Sequence, residues 1–351
     1  SRKEVDYKKG IDVTTISRTK GIPDIVLNKE TSFAKVKKHL IFGKKIAAQM
    51  SDATSAFSYL SDVHDFRKII GDSAYEYRTG VEFTPQELYM LIGIGKSSTS
   101  SHYRFMNKKF TRSKYIVDDM PKNGWELPTD HIYPIVTGPS LTPFRCNLEN
   151  EYCILPYSEN KTDAPIGISE LMTSNPELFE YLLNHQNLID NQSDKSKVMR
   201  RGEEFYALSK IGPYTFSKYL VAARDNTKFC ATVIEPQNTP WGETKQSICV
   251  KHTMIIGRTV AGRFIEKEEA YYIAGILNSN IVIQYMQSTF KSNGYSLKKS
   301  HFYLPEFDQT NPLHKEICKL AKKASKLTDP AKIAIIQSKL SDVYLNLCSS
   351  R

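Results

Sequence analysis

Residues 271–289, YYIAGILNSNIVIQYMQST, constrain the fold more than any other stretch of this chain. They follow EKEEA, whose carboxylates suit the unpaired N–H groups of a helix start. Apolar residues run to Leu277, stop at Asn278–Ser279–Asn280 and resume at Ile281. The pattern predicts a helix, a polar break and a second helix. Tyr271–Tyr272 reads as core, because Ala270, Ile273, Ile276 and Leu277 continue one packing pattern. Asn278 reads as the residue that caps or breaks the pair.

Other helix starts are spelled out by proline. Asn175–Pro176 opens ELFEYLLNHQNLI, expected to bury Leu178, Phe179, Leu182 and Leu183. Asn311–Pro312 and Asp329–Pro330 open two closing helices, and positions 333, 336, 340, 343, 344 and 347 of the last fit a 3.6-residue period. In TPQE, 84–87, Thr84 is expected to cap, with Pro85 at the first helical position and Glu87 completing a capping box. Ser32 is expected to cap a helix carrying Phe33, Val36 and Leu40. The texture of 101–157 is β: SKYIVDD, HIYPIVTG and EYCILPY are short, aromatic or branched, and separated by turn formers. Strands are expected again in YTFSKYLVAAR, KFCATVI and SICVKHTMII.

With 351 residues and 40% hydrophobic content, the chain can bury one large core or two modest ones. Its net charge of +10 gives it an electrostatic reason to meet a polyanion. None of the six cysteines forms a CxxC pair, which argues against a zinc ribbon or redox motif and suits a reducing cytoplasm. No apolar run reaches ~18 residues, so no membrane helix is expected. There is no signal-peptide pattern. The chain opens SRKEV without methionine, which reads as a trimmed or excised fragment.

Motifs for chemistry are scarce. No Pro-Pro pair exists, so the loop with which an adenine methyltransferase holds a flipped base is missing. GIGKSS, 93–98, invites comparison with a phosphate loop, but Met90 stands where the first glycine belongs. It reads instead as a glycine-containing turn after a strand. Asp225, Glu243 and Lys245 have a spacing permissible for a metal-dependent nuclease, although Glu243 and Lys245 sit in an apparent turn after Trp241–Gly242. Trp125 and Trp241, both beside turns, read as structural.

The order of phrases carries more information. HIYPIVTGPSLTPF at 131–144, EYCILPY at 151–157, the Pro176 helix, FYALSKIGPYTFSKYLVAAR at 205–224, and KHTMIIGRT followed by EEAYYIAGILNSN succeed one another, with RTGVEFTPQELY at 78–89 a weaker opening phrase. This succession resembles the C-terminal target-recognition domain of TaqI-type and type IIG restriction–modification adenine-specific DNA methyltransferases. The resemblance covers roughly 66–347 and is best over 131–305. It implies an α/β (α+β) fold, a twisted β-platform with inserted helices and a C-terminal helical segment. The expected organisation is a connecting region or tail of a catalytic domain over 1–70, the DNA-reading platform over 71–264 and the helical segment over 265–351. It further implies duplex DNA as partner, together with a methyltransferase domain, with or without a nuclease. S-adenosylmethionine would serve that catalytic domain, so no cofactor, metal or catalytic residue is expected in this chain.

Reading a duplex takes cations on phosphates and polar side chains on base edges. Such residues concentrate in three expected loops: Tyr103, Arg104, Asn107, Lys108, Lys109 and Arg112; Lys197, Arg200 and Arg201; and Lys291, Asn293, Tyr295, Lys298 and Lys299. Two other readings stay open at this point, a stand-alone specificity subunit and the nuclease built on Asp225, Glu243 and Lys245.

Overall fold

The computed structural model describes residues 10–18, 32–49, 57–99, 101–111, 113, 115–192, 198–224, 228–289 and 297–351. β1 (Ile11–Arg18) and β2 (Leu40–Gln49) form an antiparallel ribbon extended by β3 (Phe57–Tyr59), with α1 (Phe33–Lys37) preceding β2. α2 (Leu60–Ile69) turns Val63, Phe66 and Ile69 inward at helical spacing. Then come β4 (Arg78–Thr79), α3 (Gln86–Tyr89), β5 (Met90–Lys96), β6 (His102–Asn107), β7 (Trp125–Pro128), β8 (Ile132–Val136), β9 (Leu141–Thr142), β10 (Arg145–Cys146) and β11 (Glu151–Ile154). α4 (Ile168–Ser174), α5 (Pro176–Asn184) and α6 (Gln186–Asp190) follow. The second run of strands is β12 (Leu220–Arg224), β13 (Ala231–Ile234), β14 (Gln237–Asn238), β15 (Thr244–Lys245), β16 (Ile248–Cys249) and β17 (Thr253–Ile256). α7 (Lys267–Leu277), α8 (Asn280–Thr289), α9 (Pro312–Ser325) and α10 (Pro330–Ser349) close the chain.

The architecture is mixed α/β. A six-stranded sheet has the order β16–β8–β11–β5–β6–β7, with β16 parallel to β8 and the other pairs antiparallel. A four-stranded antiparallel sheet has the order β13–β12–β17–β4. Each sheet has its own core. Leu91, Phe105, Ile132 and Ile154 of the larger sheet, with Tyr157 just beyond β11, pack with Leu171, Leu178 and Leu182 from α4 and α5. Val221, Ala223 and Ile256 of the smaller sheet pack on α2 and α7–α10. Leu220, Ala222 and Ile255 point the other way, into a small cluster with Val136 and Cys249 that joins the sheets. Successive residues of β12 thus serve two cores, which is why LVAA is apolar without alternation.

The helical expectations at Asn311 and Asp329 hold. The Asn311 Oδ1 accepts from Leu313 N at 2.9 Å and the Asp329 Oδ1 from Ala331 N at 2.9 Å, the first step in satisfying a helix start. α10 buries Ile336, Leu340, Val343, Tyr344 and Leu347. The polar break also lies where the sequence puts it. The Asn278 amide, fully buried, takes Ala231 N on its Oδ1 at 3.0 Å and donates through Nδ2 to Ala231 O at 2.6 Å and Ala274 O at 3.0 Å. Gln337 Nε2 donates to the Asn278 carbonyl at 3.0 Å, tying α10 to the same point. Asn278 therefore both ends α7 and bonds the outer edge of β13, while Tyr272 is core.

Several local expectations are corrected. Pro85, not Thr84, is the cap of α3, and no side-chain cap bond forms. The Ser32 helix stops at Lys37, and Leu40 begins β2. The Pro176 helix breaks at His185, and Leu183 is exposed. The described part of SKYIVDD is irregular rather than a strand. The glycine-containing turn expected after a strand at GIGKSS is not one: Gly93–Lys96 belong to the strand β5 itself, bulged between Gly93 and Gly95 and paired with β6. The helical core also runs across the expected boundaries at 70/71 and 264/265, because α2 and β17 share it with α7 to α10.

Candidate nucleic-acid interface

A cleft of about 750 Å3 opens at the seam between the two cores. One wall comes from β4, with Arg78, and from Arg258 just beyond β17. The other comes from Arg200, Arg201, Lys210 and Tyr214, which precede β12. Among the described residues, five cationic side chains face one lining carboxylate, Asp163.

Local chemistry explains how these charges are held. Arg200 is anchored by donating to Phe205 O at 3.3 Å and Ile189 O at 3.0 Å. Arg258 donates Nε and a terminal nitrogen to Gly262 O at 3.0 and 2.9 Å, and lies over the Phe264 ring. Carbonyl acceptors fix these guanidinium groups without cancelling their charge. Lys210 has φ of 60°, a left-handed conformation that costs a side-chain-bearing residue about 1–2 kcal/mol. That turn puts its carbonyl 2.9 Å from the Tyr214 hydroxyl, which donates to it, and its ammonium 2.9 Å from Glu82. Gly212 permits the fold-back, since a Cβ there would meet the Tyr214 ring at 2.6 Å.

Arg78 and Arg201 are the most available cations. Arg78 has a 3.4 Å contact to Glu76 and faces the Tyr214 ring at 5.7 Å. Arg201 is held by its backbone, through Arg201 N to Leu208 O at 2.7 Å and the Tyr157 hydroxyl to Arg201 O at 2.8 Å. Its side chain is exposed and has no hydrogen bond or ion pair among the described residues. Burial raises the Tyr214 phenol above its usual range, although Arg78 and Arg201 both pull it down, so both charges stand near that hydroxyl. Glu82 at the margin is shared by Lys210 and Lys251. Burial opposes its ionisation, but hydrogen bonds from the two lysines outweigh this and hold its carboxyl below the usual range. Positive charge remains in excess.

Of the residues expected at a DNA face, Arg200 and Arg201 are brought into this cleft. Tyr103, Arg104 and Asn107 lie on strand β6, not in a loop. Tyr103 is buried, 5.3 Å from both Phe105 and Trp241 between ring centroids. Asn107 is buried and donates to Glu87 O at 2.9 Å and the Tyr181 hydroxyl at 2.7 Å, while its Oδ1 accepts from Trp125 Nε1 at 2.7 Å. Strand alternation turns both inward, which removes them from any DNA-facing surface. Arg104 faces outward and is paired with Glu126 across the ladder at 2.8 Å. Lys108 is paired with Glu151, and Lys109 is exposed. Lys298 and Lys299 are exposed beside buried Leu297, outside the cleft lining. Arg112, Lys197, Lys291, Asn293 and Tyr295 lie outside the described residues.

Arg78, Lys210 and Arg258 were not singled out in the sequence. Each stands within two residues of a glycine at a strand end or turn, in phrases that carry the family resemblance. The nuclease residues are differently employed. Lys245 donates to Thr129 O and to Asp130 O, the latter at 3.0 Å, and lies 3.2 Å from Glu243. Burial draws its pKa below the usual lysine range, although Glu243 acts in the opposite sense. Trp241 Nε1 donates to Glu243 at 2.8 Å. Asp225 lies outside the described residues. Among the described residues no group of three His, Cys, Asp or Glu side chains is placed to hold a metal ion, and no helix is long and apolar enough to cross a membrane. Compared with known proteins, the chain matches no family model and no curated protein.

Proposed function

We propose that this chain is a DNA-recognition module whose seam cleft holds the phosphate backbone of a duplex. The observation that carries this reading is the convergence of Arg78, Arg200, Arg201, Lys210 and Arg258, from segments distant in sequence, on one open cleft. Anchored arginines present fixed charge, and phosphate neutralisation dominates nucleic-acid affinity. On this reading the chain acts in the cytoplasm as the target-recognition part of a restriction–modification adenine methyltransferase of the type IIG kind. Methyl transfer and S-adenosylmethionine binding then belong to a catalytic domain, and sequence choice belongs to polar side chains outside the phosphate cleft.

The test is fluorescence anisotropy of a labelled 30-base-pair duplex over a salt series. Arg78→Ala with Arg201→Ala should weaken binding for all sequences alike, and the log–log salt slope should shrink by up to ~1.8, about 0.9 for each lost phosphate contact. Absence of binding by the unaltered chain to any duplex at low salt overturns the proposal. An unchanged slope in the double variant removes the cleft from it.

A further inference from the structure

A second cationic surface lies on α9, away from the cleft lining. Lys315, Lys319, Lys322, Lys323 and Lys326 follow the helix and its C-cap at spacings of three and four. At 3.6 residues per turn all five fall within an arc of about 100°, and the ends of the series are about 16 Å apart along the axis. The opposite side of the helix carries Ile317, Ala321 and Ala324 into the core, with His314 and Cys318 buried along one flank. The lysines therefore cannot rotate away, and the core fixes the direction of the stripe.

The stripe is almost unneutralised. Lys322 is paired with Glu268. Lys315, Lys319, Lys323 and Lys326 are exposed and make no side-chain hydrogen bond or ion pair among the described residues. Glu316, the only carboxylate of α9, stands at the border of the arc and makes no ion pair with them among the described residues. Lys322 and Lys323 in the last turn suit the helix dipole, but that effect ends within one turn and does not account for Lys315 and Lys319. Protein-binding surfaces are depleted in lysine, whereas flexible point charges in a row suit a continuous polyphosphate.

We infer that the lysine stripe of α9 is a second phosphate-binding track for duplex DNA, independent of base sequence. This rests on the DNA reading of the cleft and extends it to a second surface. The experiment uses the full chain, the same 30-base-pair duplex, and poly-glutamate of matched charge as a competitor. Lys315→Gln/Lys319→Gln/Lys323→Gln should reduce the salt slope by ~0.9 to 2.7 and weaken matched and unmatched duplexes by the same factor. The corresponding triple Lys→Arg variant should keep the unaltered slope. Circular-dichroism melting should be the same for all three proteins, because the substituted side chains are on the surface. A triple Gln variant with the unaltered slope overturns the inference, provided that Arg78→Ala/Arg201→Ala still lowers it. Competition by poly-glutamate as strong as that by unlabelled duplex also overturns it, and marks the stripe as a site for acidic protein. If the unaltered chain binds no duplex, the reading of the cleft has failed, and the stripe falls with it.

Discussion

Asn278→Ala offers the sharpest test of how the molecule is held together. The amide contributes one acceptor and two donor contacts at a site with no solvent access. Its loss is uneven in effect. Ala231 O keeps Phe144 N at 3.0 Å, and Ala274 O keeps Asn278 N at 3.1 Å. Ala231 N–H is left with no acceptor in a dry setting, at a cost of ~1–3 kcal/mol. The void left by the amide adds about 1 kcal/mol, so a total of roughly 2–4 kcal/mol is expected. Asn278→Asp is nearly the same size and should be worse at pH 7. One carboxylate oxygen can still accept from Ala231 N–H, but the other would face two carbonyl oxygens, and burying an uncompensated charge is costly. Lowering the pH to 5 should therefore narrow the gap between Asp and Ala, because a protonated carboxyl can donate again. Urea unfolding monitored by circular dichroism, with the slope m checked for constancy, measures both variants. An Asn278→Ala loss below about 0.5 kcal/mol, or an Asp variant equal to the unaltered protein at pH 7, would refute the account of the anchor.

Gly80→Ala should destabilise the chain by more than ~2 kcal/mol in the same assay, because the new Cβ would stand 2.4 Å from Val250 O and 2.5 Å from Cys249 O, which are backbone atoms and cannot swing aside. A loss under 0.5 kcal/mol would show that the Gly80–Val250 approach relaxes freely. Burial also lowers the pKa of both His131 and His314, and His314 Nδ1 accepts from Asp308 N at 2.9 Å, a bond only the unprotonated nitrogen can make. The unfolded chain takes up these protons near pH ~6.5 while the folded chain resists them. The urea midpoint should therefore be steady above about pH 6.5 and fall below it, and His314→Gln should flatten the fall; a midpoint level from pH 7.5 to 5 contradicts this. The cleft and stripe variants complete the set, since Arg78→Ala/Arg201→Ala and the triple lysine variant should each reduce the salt slope of duplex binding.

What could be read from the sequence was local. Asn–Pro and Asp–Pro announce helix starts with a donor–acceptor logic that needs no distant partner, and Asn278 announces a break. Tertiary structure decided the remainder. A bulge between Gly93 and Gly95 keeps GIGK in a strand where glycine alone suggests a turn. Tyr103 and Asn107 look like exposed polar-capable residues until pairing with β5 and β7 fixes which way each side chain points. The cleft was half legible. Arg200 and Arg201 stand in a visibly basic run, but Arg78 and Arg258 become neighbours only through the pairing of β4 with β17 and the return of 198–214 against them. Isolated cations carry no signal of convergence in one sequence.

The bond between Asn278 and β13 has a consequence for association. β13 is an outer strand of its sheet, and an outer strand with a free N–H and C=O is a template on which another chain can grow. At Ala231 a side-chain amide fills that place, presenting the donor and acceptor of a peptide group without being one. Alongside it, Phe144 N occupies the same carbonyl, and the β9–β10 turn lies across the edge, with the Thr232 hydroxyl donating to Thr142 O at 2.7 Å. The helix break thus also ends the sheet, so that growth by strand addition finds no open register at that point.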